Sequence, residues 1–254
     1  MPDQCPDLSL VIACFNEGEH LRDSVARLVE ICDRSRITYE MLFIDDCSTD
    51  DTREILASLR NRYSTHRLSI HFNEQNLGRG ATIRRGLDLA RAPVAGFLDI
   101  DLEVDAGYIT AFYRAVLNGA HMAIGRRVYE FSFPTAARFI MTRGYGLIRR
   151  AMLGLPFEDT EAGYKFFRLA SMRPVLTRCS APGWFWDTEV VTRAHDAGLE
   201  IAEVTCRFVR RLDKTSTVKP IRDACRQLVG LAALRRARRL EAGRALSLPL
   251  ETRR

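Results

Sequence analysis

The 254-residue chain lacks any apolar run near the ~20 residues that span a bilayer; the longest candidate, LVGLAAL at 228–234, is far too short. A soluble or surface-bound protein is therefore expected. The chain has no Gly-, Ser- or Pro-rich linker, no repeat and no low-complexity segment, so one domain with two lobes is expected. It also has no CxxC pair. Its seven cysteines, at 5, 14, 32, 47, 179, 206 and 225, are odd in number and scattered. Buried free thiols in a reducing cytosol are the expectation. The start, MPDQCPD, lacks the basic region and apolar stretch of a signal peptide. The cytoplasm, or the cytoplasmic face of a membrane, is the expected place.

What is present is ordinary globular composition, 46% hydrophobic and 28% charged, enough to bury a full core. The net charge of +6 clusters towards the C-terminus, as in LRRARR at 234–239. Such a bias suits anionic partners of several kinds.

The first half alternates strands and helices. LSLVIA (8–13), YEMLFID (39–45), RLSIHF (67–72), PVAGFLDI (93–100) and HMAIGR (121–126) read as strands. Helical spacing fills the intervals: Leu21, Val25, Leu28, Val29 and Cys32 share one face, and Ile55, Leu56, Leu59 and Tyr63 another. Strand–helix–strand repetition implies a parallel sheet with right-handed crossovers. Ligands in such sheets bind outside the carboxyl ends of the strands. The polar clusters FNE (15–17), DDCSTDD (45–51), NEQNLGRG (73–80) and DIDLEVD (99–105) all fall there. In the second half, residues 135–154 read as a basic amphipathic helix and 158–168 as a polar loop entering an aromatic strand. Residues 184–198 read as a helix, 199–211 as a strand and 220–240 as a last helix.

Three clusters could carry chemistry. In FLDIDLEVD, Asp99, Asp101, Glu103 and Asp105 sit at every second position. An extended backbone would put them on one face. They then hold a hard cation such as Mg2+ or Mn2+, or form a solvated turn whose Asp105 caps the next helix. In DDCSTDD, Asp45 and Asp46 could accept from a base or ribose; surplus acids at a helix start explain Asp50 and Asp51 well and Asp45 poorly. In NLGRGAT, Gly78 and Gly80 allow close backbone approach, next to a phosphate or in a plain turn.

Taken together, LSLVIACFNEGEHL, MLFIDDCSTDDT, NLGRGATIRRGL and FLDIDLEVD resemble the nucleotide half of inverting GT-A glycosyltransferases of family 2. IGRR (124–127), DTEAGYKFF (159–167) and, roughly, RRLDKTST (210–217) are similar to the dolichyl-phosphate mannose synthase and polyprenyl-phosphate glycosyltransferase group. The likeness runs from residue 8 to 220.

The resemblance implies an α/β GT-A fold, Rossmann-like, with a mostly parallel sheet and helices on both faces. Residues 1–126 would bind the nucleotide sugar and 127–219 the acceptor, with 220–254 a basic helix and tail. Asn16 and Glu17 would lie near the nucleotide, Asp45 and Asp46 at base or ribose, and Gly78 along the nucleoside pocket. Asp99, Asp101 and Glu103 would meet the metal and diphosphate. Arg126, Arg127, Lys165, Arg211 and Lys214 would face phosphates, and Asp187 and Glu189 the acceptor. Asp101, Arg127, Asp187 and Glu189 would form the catalytic set. Two departures stand out. Ser216-Thr217 replaces the group's usual Ser-Lys, and this chain has no membrane span.

A metal with an Arg/Lys clamp would neutralise a departing nucleoside diphosphate. A phosphate acceptor is already ionised; a hydroxyl acceptor needs a base. In WFWDTEVV, positions 187 and 189 lie on different helix faces, so only one can reach the site. Asp187 is either that base or a helix cap. Trp184 and Trp186 either stack on sugar or lipid or belong to the core. The expected activity is transfer to a polyprenyl phosphate, with a soluble hydroxyl acceptor as runner-up. A basic face of the last helix either touches an anionic membrane or covers its own domain. A nucleotidyltransferase would show Gly, Arg and Lys after strand one, where FNEGEH stands. Acidic clusters argue against a nucleic-acid partner.

Overall fold

The computed structural model describes residues 5–129, 136–210 and 220–247. By their internal contacts they form two compact units. One takes Met1–Phe131 and Phe157–Lys214, the other Ser132–Pro156 and Thr215–Arg254.

The larger unit is built on seven strands: β1 Leu8–Cys14, β2 Tyr39–Asp45, β3 Leu68–Phe72, β4 Val94–Leu98, β5 Met122–Tyr129, β6 Tyr164–Arg168 and β7 Ile201–Phe208. Their order across the sheet is β3-β2-β1-β4-β6-β5-β7. β1 pairs in parallel with both β2 and β4, so the chain reverses its direction of winding between β1 and β4. That crevice is where open α/β sheets place ligands. β6 runs antiparallel to both β4 and β5. Leu98 at the end of β4 therefore lies opposite Tyr164 at the start of β6. The loop before β6 thus joins the same edge as the loops after β1, β2 and β4.

Alternation along the strands feeds two cores. Leu8, Leu10, Ile12, Met41, Phe43 and Phe166 pack under α1 (Gly18–Arg34), α2 (Thr52–Arg62) and α4 (Ile109–Leu117). Val11, Leu42, Ile44, Phe97 and Phe167 pack under α3 (Arg79–Leu89), α6 (Leu169–Leu176) and α7 (Trp186–Asp196). The sheet is thus covered on both faces, and its fully apolar strands follow from that. The expected GT-A architecture, an α/β sheet mostly parallel and doubly covered, is the one observed.

The smaller unit contains α5 (Ala136–Leu153) and α8 (Pro220–Ser247). Tyr145 Oη donates to Gln227 Oε1 at 3.3 Å, and Arg238 Nη1 donates to the Leu153 carbonyl at 2.7 Å. Among the described residues, no helix is long and apolar enough to cross a membrane.

Candidate active site

The acid run closing β4 does not stay extended. Leu102 takes a left-handed φ of 52°, and its N–H donates to the Asp99 carbonyl at 3.2 Å. This turn breaks the every-second-residue alternation. Asp105 leaves the group to cap a short 3-10 turn, accepting from Gly107 N at 2.8 Å. Asp101 Oδ1 accepts from Glu103 N at 3.3 Å, and the Glu103 carbonyl accepts from Val209 N. Among the described residues, no three His, Cys, Asp or Glu side chains stand together as a ready-made metal cluster. The expected trio Asp99, Asp101 and Glu103 is therefore not preassembled.

Asp99 instead enters a chain of charges that runs from the half-exposed edge into the core. Its Oδ1 accepts from Arg79 Nε at 2.9 Å and Nη2 at 2.6 Å. Arg79 Nη1 donates to Asp187 Oδ2 at 2.5 Å. Asp187 Oδ1 accepts from Lys165 Nζ at 2.6 Å, and the same ammonium donates to the Ala162 carbonyl. The guanidinium stands over both the Phe97 and the Trp184 ring, 5.4 and 4.6 Å from their centres. Gly163 is what lets the backbone approach: a Cβ there would lie 1.7 Å from Asp99 Oδ2. Burial works against the charge on Arg79, but Asp187 and Asp99 outweigh it and raise its pKa. For Lys165 burial wins over Asp187, and its pKa falls below the ordinary lysine value.

Lys165, expected to face a phosphate, is thus fully enclosed, with its ammonium held by Asp187 and a carbonyl. Asp187 and Glu189 part company as their helical spacing requires. Glu189 Oε2 accepts from Ser180 N and Ala181 N, and its Oε1 accepts from Arg193 Nε. It holds the loop ahead of α7, whereas Asp187 faces Arg79.

The nucleoside-side residues form a second network at the same edge. Asp46 Oδ1 accepts from Leu77 N and Asn73 Nδ2, and its Oδ2 accepts from Gly78 N. Asp46 therefore pins the NLG turn. Gly78 has φ 86°, and a Cβ there would lie 2.6 Å from the Pro182 carbonyl oxygen. Asp45 is buried; its Oδ2 accepts from Arg53 Nε at 2.8 Å and Ser48 N at 3.2 Å. Its Oδ1 has no protein partner, which leaves one buried acceptor at the end of β2. Asn16, at φ 56°, ties β1's loop to β2's: its Oδ1 accepts from Thr49 N and its N–H donates to Ser48 Oγ. Glu17 N donates to Thr52 Oγ1.

Arg126 donates to Glu158 and Thr205. Arg127 makes a two-pronged pair with Asp159, at 2.7 and 3.0 Å. Asp159 also accepts from Glu161 N and Ala162 N, which fixes the turn leading into β6. Burial pushes the Asp159 pKa up, and Arg127 and the backbone amides more than reverse it, so it lies below the usual carboxylate value. Arg211 and Lys214 lie outside the described residues.

Comparison with known proteins agrees with this architecture. Glycosyltransferase AglD of Haloferax volcanii is 26% identical over 202 residues, covering 78% of this chain and 32% of its own length. A dolichyl-phosphate beta-glucosyltransferase of Dictyostelium discoideum is 23% identical over 221 residues, covering 79% of this chain and 66% of its own. This chain thus spans a third of the first relative and just under two thirds of the second. Glucosyl-3-phosphoglycerate synthase of Mycobacterium tuberculosis, solved with Mn2+, UDP and glucosyl-3-phosphoglycerate, superposes with a TM-score of 0.64 at 21% identity. That match covers 90% of this chain and 80% of the other. S. aureus TarS with UDP-GlcNAc gives 0.58 at 15% identity, covering 90% and 66%. Residues 9–176 match the family described as glycosyl transferase family 2, and the chain belongs to that family.

Proposed function

We propose that this chain is a metal-dependent inverting glycosyltransferase that moves a sugar from a nucleoside diphosphate to an acceptor, with a polyprenyl phosphate as the preferred acceptor. The observation that carries this reading is the joining of Asp99 and Asp187 through Arg79 at the carboxyl edge of β4. It brings the acid run after β4 and the acid of α7 into one site. Relatives named for dolichyl-phosphate glucosyl transfer and fold-mates solved with UDP and Mn2+ or Mg2+ support it. Residues 1–126 would serve the donor, 127–219 the acceptor, and 220–254 a basic appendage.

The residues fit a hard cation in one way. Mg2+ and Mn2+ are held by one or two carboxylates plus substrate phosphates. Asp101, half-buried on the turn beyond β4, with Asp99 two residues before it, meets that need; a third carboxylate is not required. When bound, the cation would neutralise charge on the departing diphosphate. Arg79 would orient Asp99 through its two hydrogen bonds to Oδ1. Asp45 Oδ1, buried and without a hydrogen-bond partner, would accept from a nucleobase or ribose donor once the loop over it opens.

Asp187 distinguishes the acceptors. Both of its oxygens accept from cations, Arg79 and Lys165. A carboxylate so engaged suits an acceptor that is already ionised and needs no base. A hydroxyl acceptor, the second reading, would require Asp187 to leave Arg79. The exposed arginines at 235, 236 and 239 of α8 support a peripheral contact with an anionic surface, each adding ~1 kcal/mol.

The test is thermal-shift screening against UDP, GDP, dTDP and CDP sugars with and without Mn2+. A ligand at about 100 times its dissociation constant adds about 2.7 kcal/mol. Metal-dependent stabilisation by one nucleotide sugar is expected, followed by turnover when detergent-solubilised polyprenyl phosphate is added. Stabilisation without turnover on the lipid, but with turnover on a soluble hydroxyl acceptor, would favour the second reading. No shift with any of them would sink the donor site.

A further inference from the structure

We propose that Trp184 is a specificity-determining residue whose open face receives the sugar ring carried by the donor. The inference rests on the donor reading above and deepens it. The chain has two tryptophans. Trp186 is core, fully buried and edge-on to Phe97 at 5.7 Å. Trp184 is 53% exposed. A single exposed apolar side chain needs no explanation; the way this one is held does.

Arg79 lies against one face of the Trp184 indole, 4.6 Å from the ring centre. That guanidinium has no freedom to swing, because Asp99 takes Nε and Nη2 and Asp187 takes Nη1. The backbone before the indole is held as well. Ser180 N and Ala181 N both donate to Glu189 Oε2, and the Pro182 carbonyl accepts from Ala81 N at 3.1 Å. The backbone after it enters α7, where Trp186 N donates to the Gly183 carbonyl. The result is a preorganised aromatic plate with a cation on one side and solvent on the other. Ordering it on binding costs little, which is the condition under which one contact yields selectivity.

Its position selects the ligand. The plate sits on the guanidinium that joins Asp99 to Asp187. In the proposed reaction the diphosphate lies on the Asp99 and Asp101 side and the acceptor on the Asp187 side. The transferred sugar must lie between them. One face of a hexopyranose is lined with C–H bonds of slight positive charge, which complement the negative face of indole. Its hydroxyls can hydrogen-bond to the charged rim. An apolar lipid tail at this spot would desolvate the Arg79–Asp99 pair and return no hydrogen bonds.

Acrylamide quenching of tryptophan fluorescence tests the idea, because Trp184 is open to quencher and Trp186 is shielded. The probes are UDP with UDP-glucose, and GDP with GDP-mannose, all with Mn2+. In the wild type the nucleotide sugar should protect Trp184, whereas its free nucleoside diphosphate should not. By calorimetry, Trp184→Ala should weaken the nucleotide sugar about three- to tenfold and leave the free diphosphate unchanged. Trp184→Phe should restore most of the loss. Equal quenching with sugar nucleotide and free diphosphate, or equal weakening of both in Trp184→Ala, would overturn the proposal and leave the donor reading standing. If the wild type binds neither of these pairs nor any dTDP or CDP sugar, the donor reading itself falls and takes this proposal with it.

Discussion

Arg79 and Asp187 stand 108 positions apart in the chain and share a hydrogen bond of 2.5 Å. The contact joins the N-terminus of α3 to the first turn of α7. A cation at a helix N-terminus is unfavourable in the field of the helix; Asp99 and Asp187 supply the compensating charge. Removing it should be costly. Stripping one partner from a buried ion pair destabilises by about 3–5 kcal/mol, and the lower end applies here because Asp99 is 36% exposed. Arg79→Gln should therefore lower the midpoint of denaturant unfolding clearly. Arg79→Lys, which keeps charge but cannot bridge two carboxylates, should recover part of the stability and little of the donor affinity. Unchanged stability in Arg79→Gln would mean that the pair forms no part of the folded core.

Asp101 is expected to act on the metal rather than on the fold. It is half-buried, and its Oδ1 accepts from the Glu103 amide. Asp101→Asn should melt within a degree or two of wild type yet lose the Mn2+ dependence of UDP binding in calorimetry. Retention of metal-dependent binding would move the cation to other residues.

Glu189 and Asp187 should separate in kinetics. Glu189→Gln removes the charge facing Arg193 and weakens the grip on Ser180 and Ala181. It should lower the melting temperature and leave kcat within a few-fold. A general base is worth about 10²–10⁴ in rate, so a loss of that size at unchanged stability would make Glu189 catalytic after all.

Acid should loosen the loop before β6. The folded pKa of Asp159 lies below its ordinary value, and that of Glu40, held by Ser9 and Arg91 against a burial penalty, does too. A depressed carboxylate contributes stability that is present above its unfolded pKa and lost as pH falls through the folded one. Unfolding free energy should therefore be flat near neutrality and drop below about pH 4, the ordinary carboxylate value. The gap between wild type and Asp159→Asn should close over the same interval. A gap that stays constant down to pH 2 would show that Arg127 does not stabilise the ionised form.

Much of this was legible in residue patterns. The seven strands and the helices over 18–34, 52–62 and 186–196 follow hydrophobic periodicity, and the polar clusters do meet at one edge. Other features were hidden for physical reasons. LASMRPVL makes α6 in eight residues with Pro174 inside it, a pattern too short and too interrupted to show a helical period. The direction of β6 is set by its neighbours, not by its own composition. The alternation of acids after β4 assumed extended backbone, and the left-handed Leu102 ended it. In NLGRGAT the glycines drew attention, while Arg79 between them carries the ion pairs. The signal available was its charge, misplaced for the start of a helix.

The reversed strand β6 has an architectural consequence. The chain leaves the sheet along β5 and returns into β6: Ile124 lies opposite Lys165, and Arg127 beyond it holds Asp159 on the way back. An excursion whose ends are already adjacent closes with a penalty that grows only slowly with its length. The segment Ser132–Pro156 occupies that interval. It is a natural graft point, where descendants of one scaffold can lengthen, shorten or exchange sequence while every register that holds the Arg79 chain of charges stays as it is.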